Sequence, residues 1–125
     1  MGLILAACGQ GTPAMPLFSG QAVLKASEFK FEPAAFRLAA GQPVKLVLQN
    51  GGAEAHDLRA FELGAGGTDI QVFAGPGEQS SVEFTPGRPG VFVFICTISG
   101  HEVKGMAGRV EVLAPGTGSP SPGVP

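Results

Sequence analysis

Short apolar runs separated by glycine- and proline-rich turns are the feature that most limits how this chain can fold. The 125 residues include 20 glycines and 11 prolines, and no amphipathic stretch is long enough for a helix bundle. Residues 43–49 and 79–85 alternate between apolar and polar side chains, as half-buried strands do. We therefore predict an all-β fold, a Greek-key β-sandwich of about seven or eight strands.

The alternation also predicts which side chains face the core. Val44, Leu46 and Leu48 lie on one face of their run, and Val110 and Val112 are expected to point inward from the last strand. Residues 91–95 are apolar on both faces, which fits a central strand of the sandwich.

Composition divides the chain into four parts. Residues 1–8 form a stub that resembles the end of a signal sequence, and residues 9–20 are predicted to be a flexible linker punctuated by Gly, Pro and Ser. Residues 21–113 hold the predicted domain. Residues 114–125 have too little apolar surface to offset the entropy of ordering, so we expect a disordered Pro/Gly/Ser tail.

Charge and hydropathy exclude several function classes. Eight basic and ten acidic residues give a net charge of −2, which argues against nucleic-acid binding because that function needs a basic surface. The chain is 44% hydrophobic, enough for a compact core. No apolar run reaches the roughly 18 residues of a membrane-spanning helix.

The residues that carry chemistry lie together near the end of the predicted domain. Cys96, His101 and Met106 follow one another at the spacing C-x4-H-x4-M. A predicted strand delivers the cysteine, a glycine-containing loop carries the histidine, and the methionine stands where the last strand begins. The only other histidine, His56, follows the Asn50-Gly51-Gly52 turn, so the four side chains can converge at one end of a sandwich.

One thiolate, two imidazoles and a weak, long thioether form the donor set of blue copper sites. Thiolate and thioether are soft donors that suit Cu(I), whereas imidazole suits both oxidation states. A site between the preferences of the two states needs little rearrangement on electron transfer, and surrounding hydrogen bonds tune its potential. We therefore predict a site for one type 1 copper ion.

The pattern resembles that of the cupredoxins, the type 1 (blue) copper family of azurin and plastocyanin. The likeness covers residues 21–113. It is carried by residues 50–57 and by the motif Gly90-x-Phe92-x-Phe94-x-Cys96-Thr97-x-x-Gly100-His101-x-x-x-Gly105-Met106-x-Gly108-x-Val110-x-Val112.

This resemblance implies a role for each candidate ligand. His56, Cys96 and His101 would be the in-plane ligands and Met106 the axial one, with the Ala55 carbonyl as a distant fifth contact. It also implies a Greek-key sandwich and one-electron transfer between membrane-associated or periplasmic partners.

In the family, the exposed edge of the loop histidine is the usual docking surface. Here that neighbourhood would include Gly100, His101, Val103 and Gly105. Electron-transfer encounters are typically small and transient, so we expect a monomer without a stable partner.

Two features qualify the resemblance: one residue differs from the family pattern, and the loop has a single cysteine. The residue after the first histidine is often Asn in relatives and is Asp57 here, and an ionised carboxylate cannot donate as an amide does. Asp57 would then either accept from loop N–H groups, such as that of Thr97, or be protonated. The loop holds one cysteine, with Gly100 where a binuclear copper centre would have its second, so that centre is not expected.

Other interpretations of the same residues remain. Cys96 alone would be an ordinary buried cysteine and Met106 a core side chain. A copper-delivery protein for an oxidase would use the same ligands, although such proteins usually carry Met- or His-rich motifs. A copper enzyme needs further histidines, so we predict no enzymatic activity. A plain structural sandwich would require the pattern to be a coincidence.

The N-terminal stub resembles an export signal. Leu5-Ala6-Ala7-Cys8 resembles a bacterial lipobox, which implies a lipoprotein anchored through Cys8 on the periplasmic or extracytoplasmic side of a membrane. It departs from that signal in having a short apolar stretch with no Lys or Arg before it. Cys8 and Cys96 could form a disulfide in an oxidising compartment, but their contexts differ, and we do not expect one.

Overall fold

A computed structural model of the chain describes residues 15–115. Within these residues the chain forms nine β-strands and two short 3₁₀ turns, the second of which is Glu102–Lys104. The strands are β1 (Gln21–Ser27), β2 (Lys30–Glu32), β3 (Ala35–Ala39), β4 (Val44–Asn50), β5 (His56–Ala60), β6 (Ile70–Ala74), β7 (Gln79–Phe84), β8 (Gly90–Ile95) and β9 (Ala107–Leu113). The prediction of an all-β sandwich is confirmed.

The strands form two sheets that enclose one core. Sheet I has the order β2-β1-β4-β7, and sheet II has the order β3-β9-β8-β5-β6. β1 runs parallel to β4 and β3 parallel to β9, whereas the other neighbours are antiparallel. Parallel neighbours cannot be joined by a hairpin, so the chain crosses repeatedly between the sheets, as in a Greek key.

Alternating side chains fill the space between the sheets. Every second residue of β1 is buried, from Ala22 to Ala26. Phe31, Phe36 and Phe94 are buried together, and the Phe94 ring centroid lies 5.2 Å from that of Phe31 and 5.8 Å from that of Phe36. Burying such a side chain contributes roughly 1.5–3 kcal/mol, so these rings hold the two sheets together. Among the side chains predicted to face inward, Val44, Leu46, Leu48, Val110 and Val112 are buried, and Val82 and Phe84 of β7 are partly buried against the core.

The prediction that residues 91–95 form a central strand is confirmed, although one face of β8 is open to solvent. β8 is the middle strand of sheet II, and Phe92 and Phe94 are buried, but Val91 and Val93 are 62% and 52% exposed. Among residues 15–115 no element lies over this side of the sheet, and an antiparallel sheet can leave one face to solvent. The strand beyond the expected count is β2, whose three residues are too few to show an alternation.

The ends of the described segment bear on the predicted boundaries. Residues 15–18, inside the predicted linker, lie along β3, where Leu17 forms a parallel bridge with Arg37 and the Arg37 guanidinium donates to the Met15 carbonyl at 2.9 Å. The stub with Cys8 and residues 116–125 of the predicted tail lie outside the described residues. In the part of the chain that the structure describes, no helix is long and apolar enough to cross a membrane.

Candidate metal centre

The segment between β8 and β9 is closed by hydrogen bonds of its own backbone. Cys96, directly after β8, donates its N–H to the Met106 carbonyl at 3.1 Å, and Met106 donates its N–H to the His101 carbonyl at 3.2 Å. Gly100 and Gly105 have φ values of 85° and 98°, a left-handed conformation that glycine adopts at little cost. The C-x4-H-x4-M segment is therefore a closed loop that presents its side chains from one end of sheet II.

The Asn50 side chain organises the turn that leads to His56. Asn50 is 3% exposed, and its amide nitrogen donates to three backbone carbonyls while its oxygen accepts one backbone N–H. The partners are the carbonyls of Glu54, Ala74 and Gly75 and the N–H of Gly52, at 2.8 to 3.0 Å. β5 then begins at His56, opposite Ala74 of β6. The Asn50-Gly51-Gly52 pattern predicts a turn but not this buried role of the Asn50 side chain.

Three predicted donors converge at the end of the sandwich. Cys96 Sγ lies 4.0 Å from His56 Nδ1 and 3.5 Å from His101 Nδ1, and one donor atom from each residue lies within 4.8 Å of the others. Metal ions bind nitrogen and sulfur at about 2.0–2.3 Å, so three donors around one ion lie roughly 3.5–4 Å apart. The spacing fits a single metal ion, and the thiolate–imidazole set suits copper.

Water is excluded from these donors. Cys96 and His56 are 0% exposed and His101 is 4% exposed. Burial raises the pKa of the Cys96 thiol above its ordinary value, because a thiolate loses hydration there. Metal binding would therefore displace a proton from sulfur, and a neutral buried thiol is the expected state without metal.

Met106 and Ala55, the other predicted contacts, flank the three donors along the chain. Met106 is 0% exposed, packs in the core cluster that includes Cys96, and shares backbone hydrogen bonds with Cys96 and His101. Ala55 is half-buried and immediately precedes His56. Both positions are compatible with the assigned roles of axial thioether and distant carbonyl.

Asp57 accepts hydrogen bonds from the residue that follows the cysteine. Its carboxylate receives the Thr97 N–H at 2.6 Å and the Thr97 hydroxyl, and Gln71 Nε2 donates to it at 3.0 Å. Asp57 is 2% exposed. The carboxylate thus ties β5 to the start of the loop and fixes the backbone next to Cys96.

Two carboxylates that sequence reasoning missed lie beside the outer nitrogens of the histidines. His101 Nε2 is 2.8 Å from Glu54 Oε1, and His56 Nε2 is 3.3 Å from Glu28 Oε2. The pKa of Glu28 is lowered, first by the hydrogen bond that its carboxylate accepts from the Glu54 N–H. Neither glutamate belongs to a spacing pattern with a histidine, so the sequence held no signal for them.

The edge of His101 is covered, unlike the exposed edge that the resemblance implied. The Phe29 ring packs edge-on against His101 with centroids 5.0 Å apart, and Glu54 contacts the outer nitrogen. Around it Gly100 and Gly105 are exposed, and Val103 is 86% exposed. The surface near the site therefore consists of this loop together with Phe29 and Glu54.

Solved structures with the same fold include blue copper proteins. Dithionite-reduced auracyanin from the photosynthetic bacterium Roseiflexus castenholzii is 20% identical, with a TM-score of 0.69 over 76% of this chain and 98% of that one. Auracyanin A from Chloroflexus aurantiacus, described as a "blue" copper protein, is 21% identical, with a TM-score of 0.61 over 75% and 100%. A reduced Cu(I) amicyanin variant is 22% identical, with a TM-score of 0.53 over 77% and 85%.

The family comparison covers most of the chain. No curated protein matches it. The model of the cupredoxin-like domain matches residues 4–107, which include the two histidines, the loop cysteine and the methionine that converge at the end of the sandwich. The chain is therefore a member of the cupredoxin-like domain family.

Proposed function

We propose that this protein is a single-domain type 1 copper protein that carries one electron between redox partners. The observation that carries the proposal is the convergence of one donor atom each from His56, Cys96 and His101 within 4.8 Å in a buried site. Such a donor set, with a nearby methionine, supplies one-electron chemistry when copper is bound.

The ligand roles follow the resemblance to the cupredoxins. His56, Cys96 and His101 would be the in-plane ligands, Met106 the axial ligand, and the Ala55 carbonyl a weak distant contact. His56 is the first residue of β5, and Cys96, His101 and Met106 lie in the closed loop between β8 and β9. A rigid sandwich holds such donors in place and limits their rearrangement between oxidation states.

The same features favour a carrier over an enzyme. Both histidines of the chain belong to this site, so none is left for a second copper centre. The donors are buried, and Met106 is buried in the same core cluster as Cys96. With Met106 as a fourth ligand the site would have no free position for a substrate, and electrons would be exchanged through its protein ligands.

The protein's partners bind at the end of the sandwich near the loop. Gly100, Val103 and Gly105 expose a small surface there, and transient electron-transfer complexes need little area. We place this exchange in the periplasm or on the extracytoplasmic face of a membrane, since the segment ending at Cys8 resembles a lipidation signal. The protein acts there as a monomer.

Electron carriage is tested with the full chain loaded with one equivalent of copper. We expect repeated cycles of ascorbate and ferricyanide to bleach and restore the visible band, with the copper retained on gel filtration. Cys96→Ser is the matched variant, and it should lose the band and the cycling. Rapid loss of copper to a Cu(I) chelator, without stable cycling, would contradict the carrier and favour delivery to an oxidase.

A further inference from the structure

The outer nitrogens of both histidines face carboxylates. The inference drawn from these contacts concerns how the two imidazoles are held, and it rests on the proposed copper site. His56 and His101 both turn Nδ1 toward Cys96 Sγ, at 4.0 and 3.5 Å. Their Nε2 atoms point the other way, to Glu28 Oε2 at 3.3 Å and to Glu54 Oε1 at 2.8 Å. Each ring is thus held between a sulfur on one side and a carboxylate on the other.

Hydrogen bonding fixes the tautomer of each ring. An ionised carboxylate has no hydrogen to donate, so the hydrogen in each contact belongs to Nε2. A neutral imidazole carries one ring hydrogen, which leaves the Nδ1 lone pair free. In both histidines this lone pair faces the point where the three donors converge.

We propose that Glu54 and Glu28 are positioning residues of the copper site, which hold His101 and His56 as Nε2–H tautomers and whose negative charge favours the oxidised ion. Outer carboxylates of this kind orient a metal-binding imidazole and raise its basicity.

The two glutamates differ in their location and in their contacts. Glu28 lies in the turn between β1 and β2 and also accepts the N–H of Glu54 at 2.8 Å and of Ala53 at 3.3 Å. It therefore links three things: its own turn, the backbone that carries Glu54, and His56. The Glu54 side chain is 52% exposed and has His101 as its side-chain partner.

The turn that carries Glu28 also contacts the second ring. Phe29, the next residue, packs edge-on against His101, and Lys104 Nζ lies 4.8 Å from the centroid of Phe29. One short turn therefore supports both imidazoles, through a carboxylate on His56 and an aromatic ring on His101. This explains why His101 is 4% exposed although it lies in a surface loop.

Glu54 is the better residue for a test, because changing it leaves the other turn intact. In Glu54→Gln an amide oxygen can still accept from Nε2, so the charge is lost but the hydrogen bond is kept. In Glu54→Ala both are lost. Glu102→Gln is the matched control, because Glu102 lies next to His101 and its carboxylate makes no hydrogen bond within the described residues.

The first measurement uses the full chain without copper. Long-range ¹H–¹⁵N NMR of both imidazoles should show the Nε2–H tautomer in the wild type and in Glu54→Gln. In Glu54→Ala the preference at His101 should fall. A Nδ1–H tautomer at His101 in the wild type, or no change in Glu54→Ala, would overturn the positioning role. Because no copper is present, this result stands apart from the proposed function.

The second measurement uses the copper-loaded chain. Glu54→Gln should lower the oxidised-to-reduced ratio at a fixed potential about tenfold, a rise in reduction potential of about 59 mV for one electron. Glu54→Ala should in addition weaken copper binding by roughly 10–100-fold, as is typical for loss of an outer-shell partner. A shift in Glu54→Gln no larger than in Glu102→Gln would overturn the role of the charge.

Discussion

Replacing Asp57 with asparagine tests how the protein controls the surroundings of Cys96. The buried carboxylate accepts from the Thr97 N–H at 2.6 Å, from the Thr97 hydroxyl and from Gln71 Nε2 at 3.0 Å. All three partners donate, which matches an ionised carboxylate. Asparagine has nearly the same shape and keeps one accepting oxygen, so Asp57→Asn removes the charge and leaves the packing in place.

The expected magnitudes follow from these contacts. A hydrogen bond to a charged group contributes about 1.5–3 kcal/mol and a neutral one about 0.5–1.5 kcal/mol, so Asp57→Asn should lower the free energy of unfolding by about 1–2 kcal/mol. Asp57→Ala also leaves the Thr97 N–H without its acceptor and should cost about 3 kcal/mol or more.

The lost charge should also raise the reduction potential. At an effective dielectric constant of 20, two unit charges interact by about 4 kcal/mol at 4 Å and by roughly 2 kcal/mol at twice that distance, and Asp57 binds the N–H of Thr97, the residue next to Cys96. Since about 1.4 kcal/mol is a tenfold change, and a tenfold change is about 59 mV for one electron, Asp57→Asn should raise the potential by roughly 80 mV.

Voltammetry of the copper-loaded chain and urea unfolding of the copper-free chain measure the two effects. Glu83→Gln removes one charge from an exposed position on β7 in the other sheet, and it should change both quantities little. A potential that is unchanged in Asp57→Asn, or lower than in the wild type, would refute an ionised carboxylate beside the cysteine.

Three further predictions concern packing, the axial position and pH. Met106→Leu should lower the free energy of unfolding in urea by less than about 1.5 kcal/mol, because the two side chains have similar volumes. It should raise the reduction potential in voltammetry, because the loss of a donor disfavours the oxidised ion. An unchanged potential would argue against axial ligation by Met106. Gly108→Ala should lower the free energy of unfolding by about 1–3 kcal/mol, since the added Cβ would overlap a backbone carbonyl and the Phe94 ring. In the control Gly51→Ala the added Cβ meets nothing within 4 Å, so the free energy of unfolding should change by less than about 0.5 kcal/mol. The pKa of the Cys96 thiol is raised in the folded chain, so the neutral thiol stabilises the fold. This stabilisation should be complete below the ordinary thiol pKa of about 8.5 and should be lost as the pH rises through the pKa of the folded chain. Thermal melts of the copper-free chain from pH 7 to 10 should show the loss, and Cys96→Ala should abolish it.

Much of the site could be predicted because its residues are close in sequence. Cys96, His101 and Met106 lie within one loop, where spacing alone restricts the chemistry, and His56 is the only other histidine of the chain. The strands could be predicted for a similar reason, since alternation and glycine turns are local signals.

What escaped prediction depends on contacts between distant segments. Glu28 reaches His56 because β1 lies beside β4 in parallel and ends in a turn above the site, and no local pattern encodes that register. Glu54 meets His101 across 47 positions of sequence. The apolar residues of β8 predict a central strand but not the exposure of Val91 and Val93, because the pattern of a strand does not reveal what covers its outer face.

The most direct test of the copper site is the visible absorption and electron paramagnetic resonance of the full chain titrated with Cu(II). One equivalent of copper should bind and give an intense thiolate-to-copper band, a narrow copper hyperfine splitting, and reversible bleaching by ascorbate. Cys96→Ser should lose the band while the sandwich still folds. A wild-type protein that binds copper but stays colourless, with a wide hyperfine splitting, would contradict thiolate ligation by Cys96 and with it the type 1 centre.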